Sequence, residues 1–134
     1  MKFNLAVRMT KTIVKSPRST PAGGPYNHGV RIGDLLFCAG QIPLDPATGQ
    51  LIAGDIRAQT ERCLENVRLI LDDQGLSSAN VVKTTVFMTN LGDFAIMNEI
   101  YARFFTKDFP ARTTVQVAAL PRGAQIEIEA IAHY

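Results

Sequence analysis

The chain of 134 residues carries 14 basic and 12 acidic side chains, a formal net charge of +2, with 46% apolar residues and no Trp. That length fits one domain with a modest core, and the near-neutral balance excludes the broad basic surface on which non-specific nucleic-acid binding depends. Two cysteines, Cys38 and Cys63, are too few for a disulfide framework and lack metal-ligand spacing to a His, so both are expected as buried thiols.

Residues 1–10, opening MKFNLAVR, are expected to form a flexible leader ahead of a domain at 11–134. The stretch is too short and too weakly apolar for a secretory signal, Met9 offers an alternative start, and the protein is expected in the cytoplasm. No run approaches the length of a membrane span. Residues 11–15 form a candidate strand, 16–25 a Ser/Pro/Gly loop, and 28–32 a second short strand. Gly33-Asp34 signals a turn into the apolar strand 35–41. The DPATG segment at 45–49 is a further turn, after which 50–52 pairs back. Residues 55–74 are the clearest helix: Ile56, Cys63, Val67, Ile70 and Leu71 make a stripe with Leu64 at its edge, Asp55 is placed to cap it and Gly75 to end it. The alternating, β-branched run 81–89 is a strand. Asp93 is expected to cap a second helix burying Phe94, Met97, Tyr101 and Phe104. The last two alternating runs, 112–119 and 125–133, flank a Pro-Arg-Gly turn and are expected to pair as a hairpin.

This order of elements predicts an α+β domain, a mixed β-sheet with two helices packed on one face. Alternation puts Ile126, Ile128, Ala130 and Ala132 toward the helices and Glu127, Glu129, Ile131 and His133 on the opposite face. The hairpin partner would turn Thr113, Val115 and Val117 inward and Arg112, Thr114 and Gln116 outward. Arg112 and Glu127 then share a face about 20 Å apart, six residues at about 3.3 Å each. An arginine fork at a strand end suits a carboxylate, and a glutamate on a sheet face can hold or activate water. Together they point to hydrolysis of a small anionic molecule. At that separation they serve one substrate only if a neighbouring subunit supplies one of them, so the same chemistry predicts an oligomer.

Five segments in order carry a family resemblance: GPY at 24–26, CAGQIPLDPATG at 38–49, QTERCLENV at 59–67, VVKTTVFMTNLGDF at 81–94, and PARTTVQVAALPRGAQIEIEAIA at 110–132. The chain resembles the RidA (YjgF-type) reactive intermediate deaminases. The resemblance implies a chorismate-mutase-like domain assembled as a homotrimer, with the sheets in a central barrel and active sites between subunits. It implies hydrolysis of 2-aminoacrylate-type enamines and imines, such as 2-iminopropionate, to 2-keto acids and ammonia, with no cofactor and no metal. Arg112 would clamp the substrate carboxylate. Glu127 would hold the attacking water, Tyr26 close over the substrate, Asn98 brace the site from the second helix, and the backbone at Ala39 and Gly40 contact the ligand. Thr114 stands where many members have a cysteine; its hydroxyl is a poor nucleophile, so no covalent step is expected there. Two other functions compete. One is a non-catalytic trimer that binds small 2-keto acids. The other is an RNA-directed activity, described for some relatives, against which the scattered basic residues argue.

Overall fold

The computed structural model describes residues 10–134, so residues 1–9 of the expected leader, Met9 among them, lie outside the described residues. Within them the strands are β1 (Thr12–Val14), β2 (Gly29–Ile32), β3 (Leu35–Gln41), β4 (Val81–Met88), β5 (Ala111–Gln116) and β6 (Ile126–His133). They form one sheet in the order β1-β2-β3-β6-β4-β5. Two α-helices among the described residues, α1 (Ile56–Asp73) and α2 (Phe94–Phe104), cover one face of it. No described helix is long and apolar enough to cross a membrane.

The core lies between that face and the helices. Leu36, Val86, Met88, Ile126 and Ile128 meet Cys63, Val67, Ile70, Leu71 and Met97, all almost fully buried. Each large side chain so removed from water contributes about 1.5–3 kcal/mol. Helix α1 begins where Asp55 accepts a hydrogen bond from the Ala58 amide at 3.1 Å. It ends before Gly75, whose φ of 70° is the left-handed conformation that glycine adopts without strain. Both cysteines are free and buried, and burial pushes the Cys38 thiol up to about 12.

The buried face of α1 also carries three polar residues that the apolar stripe does not reveal. Thr60 Oγ1 donates to Ile56 O, Asn66 Nδ2 donates to Ile42 O and Leu44 O, and Gln59 Oε1 accepts from the Gln125 amide. The last two stitch the helix to the loop after β3 and to the start of β6. Residues 50–52 form no strand; pairing there is a single bridge between Leu44 and Leu51. At α2, Asp93 occupies the cap position without a side-chain cap bond, and Phe94 is 40% exposed rather than buried. Met97 and Tyr101 are buried as expected, joined by Ile100, with Phe104 partly buried and Phe105 buried just beyond.

The expected C-terminal hairpin does not form. β5 pairs in parallel with β4, β6 runs antiparallel to both β3 and β4, and β4 therefore lies between the last two strands. Antiparallel strands accept a tight turn, but the turn at 121–123 here crosses over β4. The consequence is a reversed face for β5. Arg112 pairs with Thr84 and Thr114 with Val86, and both partners are buried under the helices. Arg112 and Thr114 therefore project to the helix side. Thr113, paired with Thr85, lies on the open face, where its hydroxyl accepts from Lys83 Nζ at 3.1 Å. For β6 the expected faces hold: Ile126, Ile128, Ala130 and Ala132 are buried against the helices.

Candidate active site

Two clefts hold different parts of the expected residue set. The first lies at the β5 edge on the helix side. It has a volume of about 400 Å³ and is lined by Asn98, Tyr101, Ala102, Phe109, Pro110 and Arg112. The Arg112 guanidinium carbon lies 4.8 Å from the centre of the Tyr101 ring and 5.5 Å from that of Phe94. Such stacking holds the fork in a fixed plane while leaving its donors free. Tyr101 is fixed in turn by a 2.7 Å hydrogen bond with Thr84 Oγ1, a buried pair that joins α2 to β4. Burial pushes the Tyr101 phenol up, against smaller opposing effects of Thr84 and Arg112, so it stays protonated. Arg18, Arg57, Arg68 and Arg103 each meet a carboxylate, whereas among the described residues Arg112 meets none. The Thr114 hydroxyl, two residues along the same edge, is buried without a hydrogen-bond partner among the described residues.

The second cleft, about 260 Å³, opens at the far end of β3 and includes Tyr26, Gly40, Gln41, Asn66 and Arg122 in its walls. The β3–β6 register shifts between Cys38 and Gln41, so Ala39 and Gly40 form an irregularity. There the Ala39 amide donates to His28 O. Gly40 has a steric reason to be glycine: a Cβ there would collide with the Glu127 carboxylate. Glu127 thus packs directly over the Gly40 backbone. It is half-buried, and burial, with the Glu129 charge second, raises its pKa above the usual carboxylate range. Tyr26 is 55% exposed, and its hydroxyl accepts a hydrogen bond from the Gly23 amide.

His28, to which the sequence assigns no role, braces the loop that carries Tyr26. Its Nδ1 accepts from the Ser16 amide, which makes Nε2 the donor to Thr20 O, each at 2.9 Å. Ser16 is anchored below by Asp73 at the end of α1, which Arg18 also holds. A single histidine in a polar loop gives no periodic signal, which is why pattern alone does not find it.

The structure thus brings Asn98 together with Arg112, sets Tyr26 and Gly40 in one cleft, and packs Glu127 against Gly40. It does not bring the two groups together. Arg112 and Glu127 lie on opposite faces of the sheet, two strands apart and three residues out of register. From strand spacing and rise that is roughly 14 Å between backbones, with the sheet itself in the way. The shared face expected from the hairpin is corrected: within one chain the sheet stands between the two groups. Among the described residues no group of acidic, His and Cys side chains is placed to hold a metal ion.

A two-layer α+β domain of this kind is the arrangement of a known family. The model of the Endoribonuclease L-PSP family matches residues 17–134, and the chain belongs to this family, also called YjgF/RidA. Among individual proteins, the chain is 50% identical to protein DfrA of Myxococcus xanthus, over 93% of this chain and 97% of that one. It is 48% identical to the 2-iminobutanoate/2-iminopropanoate deaminase of Salmonella typhimurium, over 92% of this chain and 98% of that one. The crystal structure of E. coli TdcF with bound serine matches with a TM-score of 0.87 and 44% identity, covering 92% of this chain and 98% of that one.

Proposed function

We propose that this protein is a hydrolytic deaminase that converts 2-aminoacrylate-type enamines and their imine tautomers to 2-keto acids and ammonia. The observation that carries the proposal is Arg112: a guanidinium held over two aromatic rings at a cleft mouth, with no carboxylate partner among the described residues. A fork so placed is prepared for a carboxylate that is absent from the chain itself. The deaminase of Salmonella typhimurium and the serine-bound TdcF, similar over nearly their whole lengths, support a small carboxylate as that ligand.

The site closes in a homotrimer, in which the Arg112 cleft of one subunit faces the Tyr26–Gly40 cleft of the next. The open sheet face offers surface for such an assembly. Ile13, Leu35, Phe37 and Val115 are each about 40% exposed, and by register Phe37 pairs with Val30 and Ile131. Isolated chains seldom leave so apolar a sheet face open to water.

Within the joined site, Arg112 binds the carboxylate and fixes the C=N carbon, with Asn98 beside it. Glu127 of the facing subunit accepts a proton as a water oxygen bonds to that carbon. Burial raises its pKa above the ordinary carboxylate value, which makes it a better proton acceptor than an exposed glutamate. Glu127 returns the proton to nitrogen to give the carbinolamine, then relays the hydroxyl proton to the same nitrogen, so that the C–N bond breaks and ammonia leaves as the C=O bond forms. One water is consumed per imine, with no redox change. Thr114 adds a hydroxyl to the wall and forms no covalent intermediate. The test is the rate of keto-acid and ammonia release when 2-aminoacrylate is generated in situ. The purified protein accelerates it, and Arg112→Ala removes the acceleration while the oligomer persists; an Arg112→Ala variant of undiminished activity would overturn the proposal.

A further inference from the structure

The clamp at Arg112 accounts for one negative charge on a substrate, and the second cleft holds another cation that the proposed mechanism does not use. Arg122 lies in the wall of the cleft that contains Tyr26 and Gly40. Its backbone adopts φ 60° and ψ 19°, the left-handed region that side-chain-bearing residues occupy at a cost. Its guanidinium is tied to neutral oxygens, Gly49 O at 2.8 Å and Gln50 Oε1 at 3.4 Å. Among the described residues no carboxylate pairs with it, and no acidic residue lines the cleft. Thr20, in the same wall, has a buried hydroxyl without a hydrogen-bond partner among the described residues. The cleft therefore presents an uncompensated cation and a spare hydroxyl to whatever part of a substrate extends past the C=N carbon.

We infer that Arg122 reads a second anionic group, so that imines of amino dicarboxylic acids are substrates and are favoured over those with an uncharged side chain. This rests on the deaminase reading and adds the substrate class. Arg112 holds the carboxylate next to the imine carbon, and Arg122, from the facing subunit, holds the distal one. The backbone ties of Arg122 use part of its fork and leave other N–H donors for the ligand. The bond changes are unchanged from the monocarboxylate reaction: water adds to the imine carbon and ammonia leaves.

The experiment compares two imines generated in situ, 2-iminopropanoate from D-alanine with D-amino-acid oxidase and 2-iminosuccinate from D-aspartate with D-aspartate oxidase. Semicarbazide traps the imine that escapes hydrolysis. The quantity read is the ratio of kcat/KM for the dicarboxylate to that for the monocarboxylate. In the wild type the ratio exceeds one. In Arg122→Ala it falls by about tenfold, the scale of one lost charge-assisted hydrogen bond, and Arg122→Lys restores part of it. Calorimetric binding of 2-oxoglutarate against pyruvate reads the same preference without turnover. A ratio that Arg122→Ala leaves unchanged, or a wild type that hydrolyses 2-iminopropanoate but not 2-iminosuccinate, overturns the inference and leaves the deaminase reading standing. Failure to hydrolyse either imine removes the deaminase reading, and equal calorimetric affinity for the two keto acids then removes this inference as well.

Discussion

Gly40 and Glu127 are packed so closely that a single methyl group tests the role of the carboxylate. In Gly40→Ala the new Cβ would overlap the Glu127 carboxylate oxygen and come within 3.1 Å of its Cδ and 3.2 Å of its Cγ. The obstructing atoms are the far end of a flexible side chain, so the glutamate gives way rather than the β3 backbone. Leaving a preferred rotamer costs about 0.5–1.5 kcal/mol, a shift of only a few degrees in Tm for a domain of this size. The chemical cost is larger. Relief of the overlap moves the carboxylate by about 1 Å, and a misplacement of that size lowers the rate by up to about a hundredfold. The assay pairs urea unfolding with steady-state imine hydrolysis. The expected outcome is near wild-type stability, KM changed little and kcat reduced by one to two orders of magnitude. Wild-type kcat in a variant whose crystal structure shows Glu127 displaced would refute the assignment of Glu127 as the proton carrier.

Two further outcomes follow from buried polar groups. Thr84→Val removes the partner of the Tyr101 hydroxyl inside the core; urea denaturation should show a loss of about 1–3 kcal/mol, and KM should rise because Tyr101 is the platform under Arg112. Folding raises the pKa of Glu127 above its ordinary value of 4.5, so its contribution to stability is full while the group is protonated, at acid pH, and declines as pH climbs through the raised value. Glu127→Gln is therefore expected to resist urea better than wild type at neutral pH, with the advantage fading as pH falls through the raised value and gone below about pH 4.5, while imine hydrolysis is lost at every pH.

Much of the scaffold is legible in the chain because local signals and tertiary structure agree there. Asp55 and Gly75 bracket a stripe of helical period, and α1 begins and ends beside them. The alternation in β6 gives its two faces correctly because the strand is central and the helices bury one side. The C-terminal turn misleads for a physical reason. A Pro-Gly turn between two alternating runs specifies that the chain reverses; it does not specify which strand lies next door. β4, with its run of β-branched residues, takes the place between them, and the parallel register that results turns Arg112 toward α2. Phe94 is misplaced for a related reason: helical period puts it on the stripe, but it sits at the first turn where the sheet ends, and there it serves as one wall around Arg112. Arg112, Glu127, Tyr26 and Gly40 stand inside the five matched segments and Asn98 just beyond the fourth, whereas His28 and Arg122 act through hydrogen bonds to loop backbone that leave no periodic trace.

The account turns on a site completed by two subunits, and mixed oligomers of two inactive variants test it most directly. Arg112→Ala and Glu127→Gln, each inactive alone, are co-expressed in equal amounts with different tags, and the hetero-oligomers are isolated and assayed. If Arg112 of one chain works with Glu127 of the next, every trimer that contains both variants keeps both residues intact at one of its three interfaces, whichever variant is present twice in the closed ring. Recovery of about a third of the wild-type rate is the predicted result. No recovery in oligomers shown to contain both variants would mean that each active site is built from a single chain, and would contradict the account.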